Sequence, residues 1–159
     1  VYDATEICPW RNRLIQGTVH DENTHVLGGV EGHAGLFGTA GAVFRLLLHL
    51  LSVYHGEAAA EPIGSYLFRL FTTRQPDSNR ALGFDMPSLS GSSSGDFFPK
   101  TSIGHLGFTG TSFWMDLDRQ ITIIVLTNRV HPVRSNEKIR AFRPRIHDAL
   151  MEWFLLSSS

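Results

Sequence analysis

Cysteine is nearly absent from this chain: Cys8 stands alone in 159 residues. A single thiol cannot close an internal disulfide or complete a two-cysteine metal or redox motif, so Cys8 reads as an ordinary small residue. An excess of either charge is missing too. Fourteen basic and fifteen acidic side chains leave a net charge of −1, which offers no electrostatic footing for nucleic acid or an anionic membrane surface. The longest apolar run, VFRLLLHLLSVY, is broken by Arg45 and His49. It falls far short of the roughly 20 residues that a membrane span needs. The chain opens at Val1 without an initiator methionine or a signal-peptide pattern. The expectation is that the natural N-terminus, with any targeting information, is missing. Apolar material is plentiful, with 42% hydrophobic residues and eleven phenylalanines, enough for one globular domain spanning 1–159.

Residues 1–38 show little periodicity, and glycine and histidine punctuate Gly17 to Gly38, which reads as long ordered loop. A helical part follows over 39–76. Thr39 can cap a helix over roughly 40–54, whose apolar stripe of Val43, Leu47, Leu50 and Tyr54 is flanked by Phe44, Leu48 and Leu51. So broad a stripe predicts burial on most sides. A shorter helix is expected over 63–72, ended by polar residues and Pro76. Strands are expected over 80–130: RALGFDM, IGHLGFTG, TSFWMDL and ITIIVLTNRV, the last two joined through Asp118, Arg119 and Gln120. PSLSGSSSGD, residues 87–96, has no apolar face and reads as a flexible surface loop. The last helix is expected over 138–155 with Ile139, Phe142, Ile146, Leu150 and Trp153 on its covering face. These elements predict an α+β fold, an antiparallel sheet covered by helices.

One strand carries a pattern that chemistry can use. His105, Leu106, Gly107, Phe108, Thr109 and Gly110 run as cation, any residue, Gly, any residue, Thr, Gly. The glycine lets a substrate approach the backbone, and the next N–H can donate to a developing oxyanion. Alone, His105 would be read as a strand histidine bonded to a neighbouring loop. The run resembles the K-T-G strand of serine β-lactamases and penicillin-binding proteins, with histidine for lysine. GLFGTAGAVFRLLLHLL is similar to the start of a helix in the class C β-lactamase and esterase superfamily. RALGFD resembles its L-G-[WF] strand. VHDENTHVLGGVEGHAGLF, VLTNRVHP and RPRIHDALM resemble a bacterial subgroup of it. The matches cover nearly the whole chain in the family's order.

The resemblance implies the C-terminal portion of the β-lactamase/transpeptidase-like fold and acyl transfer to a serine in S-x-x-K, with Y-x-N supplying the proton relay and no cofactor. Both motifs belong upstream of the matched region. None of Tyr2, Tyr54 or Tyr66 begins a Y-x-N, and the literal SNEK at Ser135–Lys138 follows the strand, where it reads as a helix cap. KTS at Lys100 lacks the glycine. The resemblance thus implies a wall without its nucleophile. His105 would orient substrate or support the base, and the Phe108 N–H would help form the oxyanion hole. Gly107, Thr109 and Gly110 would line the substrate, a lactam, ester or D-alanyl peptide, with Arg134 as a supplementary cation. Leu106 replaces a hydroxyl residue that often binds the substrate carboxylate, which brings an esterase or peptidase level with a lactamase. A bacterial periplasm or cell envelope is the implied compartment. The missing half of the fold, or a second copy of this chain, would cover its exposed edge and apolar surface.

Two other readings stand beside this one. A non-catalytic binding or structural module could be made from the same half-fold. His20, Asp21, Glu22, His25 and His33 could be assembled into a metal site, but their spacing matches no ligand pattern and loop or turn roles are the simpler reading. Gly29, Gly32 and Gly35 lack the strand that a phosphate cradle requires. His147 with Asp148 reads as a surface pair.

Overall fold

A computed structural model describes residues 2–58 and 63–157. The elements run β1 (Ala4–Cys8), β2 (Arg13–Gln16), α1 (Glu22–Val26), α2 (Ala40–His55), α3 (Ser65–Phe71), β3 (Ile103–Leu106), β4 (Ser112–Asp116), β5 (Ile121–Val125) and α4 (Ile139–Ser157). An antiparallel sheet of order β3-β4-β5 lies at the centre. It has helices on both faces, which is the α+β arrangement that the strand and helix patterns predict.

Alternation along the strands divides the core in two. Ile103 and Met115 join Leu47, Leu51 and Val53 of α2 and Phe68 of α3 on one face. Trp114, Ile121, Ile123 and Val125 join Phe98 and Met151 of α4 on the other. Trp114 fits because β3 has glycine opposite it: a Cβ on Gly104 would lie 2.5 Å from the indole ring and from the Phe113 carbonyl oxygen. The turn between β4 and β5 is shaped by Asp116, whose buried carboxylate accepts the N–H groups of Asp118 and Arg119 at 3.1 and 3.0 Å. Gln120 completes it with φ of 58°.

Several expectations are corrected. Within the anticipated loop 1–38, β1 and β2 pair as an antiparallel hairpin and Glu22–Val26 is helical. The strand signal was inverted, since Glu6 and Cys8 are buried and Ile7 faces solvent. Residues 80–86 form no named strand. Gly83 turns the chain at φ of 85°, and Asp85 alone pairs with β3, exchanging two backbone hydrogen bonds with Gly104 at 2.8 and 2.9 Å. Helix α2 is capped as expected by the Thr39 hydroxyl, which accepts from Ala42 N–H at 3.2 Å. Its stripe is not buried all round, however: the sheet covers one side, and Phe44, Leu46 and Leu48 are about half exposed.

Helix α4 turns a different face inward from the apolar one. Its buried positions are Ile139, Arg143, His147 and Met151, one row at i, i+4 spacing, while Phe142, Leu150 and Trp153 face outward. Arg143 and His147 are buried because each meets acceptors or donors of the sheet and loops. His147 is fully enclosed, with Nδ1 2.8 Å from the Ser93 carbonyl oxygen and Nε2 3.2 Å from Ser112 Oγ. Its neighbour Asp148 accepts the N–H groups of Asp96 and Phe97 at 2.6 and 3.3 Å. These contacts correct the surface-pair reading. They also correct the surface-loop reading of 87–96, where Ser92, Ser94 and Gly95 are buried against α4.

Burial shifts the His147 imidazole below its ordinary value of 6.5, only partly offset by its bond to Ser93. The unfolded chain therefore binds this proton more readily than the folded one. The stabilisation is fully present above about pH 6.5 and declines as pH falls below it. Urea unfolding between pH 7.5 and 5 is expected to show that decline, with a smaller slope in His147→Gln. Equal slopes in the two proteins would contradict the assignment.

Candidate active site

The site begins where β3 leaves the sheet. Gly107 donates its N–H to Thr111 O at 2.8 Å, and Gly110 N–H returns to Gly107 O at 3.1 Å, closing a four-residue turn over 107–110. Gly110 has φ of 122°, and a Cβ there would lie 2.9 Å from Arg129 N and from Thr127 O, so glycine is required. His105 precedes the turn on the exposed side of β3, opposite Phe113.

Every carbonyl from 107 to 111 is held by a donor from another segment or from across the turn. Arg143 Nη2 donates to Gly107 O at 2.6 Å and to Thr111 O at 2.7 Å. Arg129 donates Nε to Phe108 O and its backbone N–H to Thr109 O, both at 2.8 Å. The Thr127 hydroxyl donates to Gly110 O at 2.5 Å. By contrast, the Phe108 N–H has no partner among the described residues. The turn therefore offers one free donor on a backbone whose acceptors are all engaged, which is the requirement for a preorganised oxyanion contact.

The Phe108 side chain is gripped from two directions. The Arg129 guanidinium stacks 4.2 Å from its ring centroid, and the His20 ring lies 5.6 Å away at a 30° tilt. His20 Nε2 is 2.8 Å from Glu6 Oε2, with both side chains buried. Arg134 grips Glu6 through two bonds of 2.7 Å and reaches Glu22 at 2.9 Å. The Arg134 contact, reinforced by His20, holds the Glu6 carboxyl below its ordinary value of 4.5 against the opposing effect of burial.

The structure brings Gly107, Phe108, Thr109 and Gly110 together with His105 on one strand and its turn. It does not direct the Arg134 side chain there. Arg129 bonds to the Arg134 carbonyl at 2.8 Å, but the Arg134 guanidinium is committed to two carboxylates. The cations at the turn are Arg129 and Arg143, which sequence reasoning missed along with Glu6 and His20. One signal was available for Arg143, namely its i, i+4 spacing from Ile139 and His147 on one row of α4. Of the histidine-rich loop, Asp21 caps α1 by accepting Thr24 N–H at 2.8 Å and lies 3.2 Å from His33 Nε2. His20 turns instead to Glu6. Among the described residues no three metal-ligating side chains converge.

Removing Arg134 strands a buried carboxylate. Arg134→Met is expected to lower stability by about 2 kcal/mol, at the low end for a broken buried pair because Arg134 itself is partly exposed. Since Glu6 titrates below its ordinary value, the benefit of Arg134 is present above about pH 4.5 and is lost as pH falls below it. Urea melts at pH 7 and pH 4 should therefore show a difference between the two proteins that shrinks at acid pH. A difference that grows there would contradict the pairing.

The Beta-lactamase family profile matches residues 2–146. The chain is 31% identical over 136 residues to a protein of Escherichia coli K12 provisionally named D-alanyl-D-alanine carboxypeptidase, covering 80% of this chain and 30% of that protein. Proteins of the same provisional name from Salmonella agona and Salmonella gallinarum are 30% and 31% identical, each covering 81% of this chain and 31% of the relative. The chain thus spans about a third of the length of these relatives. Among solved structures none gives a significant match. A match running from the first hairpin into α4, through the clamped turn after β3, places this chain in the serine β-lactamase family.

Proposed function

We propose that this chain forms one wall of the acyl-transfer site of a serine hydrolase whose S-x-x-K nucleophile lies in polypeptide outside residues 1–159. The observation that carries the reading is the turn at 107–110, with its carbonyls held and the Phe108 N–H left free. In the assembled site the substrate carbonyl oxygen takes the Phe108 N–H as negative charge develops on it. A second N–H comes from the nucleophile's own backbone. His105, exposed on the same strand, orients substrate or supports the base. Missing polypeptide or a second copy of this chain covers the exposed apolar side of α2.

The relatives' provisional name favours a D-alanyl peptide as substrate, with a lactam as its mimic. A small ester is the second reading, and Leu106 favours it. That side chain packs against the Trp114 cluster and supplies no hydroxyl for a substrate carboxylate.

Two measurements test the proposal. The 159-residue chain alone is expected to hydrolyse neither a chromogenic cephalosporin nor a short-chain ester; hydrolysis abolished by His105→Ala would overturn that. In a longer protein carrying the nucleophile, Phe108→Pro deletes the donor at the second turn position, where proline is well tolerated. It should lower kcat by about 10²–10³-fold. Phe108→Ala keeps the N–H and should lose far less, so equal losses would rule out the oxyanion role.

A further inference from the structure

Beside the turn, on the α4 side, lies a cleft of about 300 Å³. Arg129, Arg140 and Arg143 line it together with Glu137, and Phe108 and Ile139 give it apolar walls. Glu137 is paired with Arg140 at 2.9 Å on the exposed rim. The other two guanidiniums have no carboxylate partner among the described residues. Arg129 gives Nε and Nη1 to carbonyls, and Arg143 gives Nη2 to two more. Those contacts satisfy some donors but leave both positive charges uncompensated. Arg143 is only 8% exposed, and its Nε, also buried, has no hydrogen-bond partner. Burial and the nearby Arg129 charge both disfavour its charged form. Buried charges in folded proteins are ordinarily paired. Two unpaired guanidiniums facing one cleft therefore mark a place for an anion.

We propose that this cleft binds a small organic carboxylate, with its oxygens set toward Arg129 and Arg143 and its apolar body against Phe108 and Ile139. Guanidinium groups suit a carboxylate because their N–H donors match its two oxygens. The apolar walls favour an organic acid over a fully hydrated inorganic ion. The proposal does not rest on the acyl-transfer reading, since binding is measured on this chain without turnover.

Benzoate, with benzamide as its uncharged counterpart, is the probe, followed through amide shifts in two-dimensional NMR. Benzoate should shift the amides of Gly107, Phe108 and Ile139 saturably, and benzamide should bind at least tenfold more weakly. Glu137→Gln removes the single negative charge of the cleft and should tighten benzoate binding roughly threefold. Arg143→Gln should weaken it at least about tenfold. Arg143 also holds two turn carbonyls, so Glu137→Gln, at an exposed side chain, decides the matter if that variant does not fold. Equal binding of benzamide, or a Glu137→Gln protein with unchanged or weaker benzoate affinity, would overturn the proposal.

Discussion

Five consecutive carbonyl groups, from Gly107 to Thr111, are held at the end of the central sheet, and the rest of the site depends on that constraint. Their donors come from Thr127 and Arg129 beyond β5 and from Arg143 on α4, as well as from the turn itself. Once the acceptors are fixed, so is the peptide plane that carries the Phe108 N–H. The energetic value of an oxyanion donor lies in this kind of preorganisation, because a loose turn would have to reorganise as charge develops. The clamp is built from segments distant in sequence, so it forms only when β5 and α4 have packed on β3 and β4.

The clamp carries an internal cost that neighbouring structure offsets. Arg143 reaches the turn by being buried without an acid partner. Its helix is secured beside it by His147 on Ser93 and Ser112 and by Asp148 on the 96–97 amides. On the other side, the Glu6–His20–Arg134 group ties the first hairpin to the segment before α4. Two backbone contacts reinforce it: Ile7 N–H to Pro132 O at 2.9 Å, and Asn128 Nδ2 to Ala4 O at 2.5 Å. His20 brings that group up to the Phe108 ring. Polar interactions at the two flanks thus meet at one phenylalanine, which supplies both the free N–H and a ring to be gripped.

Much of this was legible in the sequence where local pattern and packing agree. TSFWMDL and ITIIVLTNRV alternate cleanly, so β4 and β5 were evident, and Thr39 announced the start of α2. The H-x-G-x-T-G run identified the turn because its glycines are dictated by backbone geometry, as Gly110 shows at φ of 122°. Legibility failed wherever a polar residue was buried by a distant partner. Glu6 disguised β1 by facing inward while Ile7 faced out, and the serines of 87–96 looked solvent-bound until His147 and Asp148 met that segment. Arg134 stood as the available cation because nothing in the sequence announces that Glu6, 128 residues away, takes its guanidinium.

The claim on which the account stands is that the oxyanion wall is already formed in this chain, with its acceptors held and one donor free. Amide hydrogen exchange at single-residue resolution addresses it directly. Slow exchange is predicted at Gly107, Gly110 and Arg129, whose N–H groups are bonded within and beside the turn, with fast exchange at Phe108 between them. Protection at Phe108, or equally fast exchange at all four amides, would contradict it.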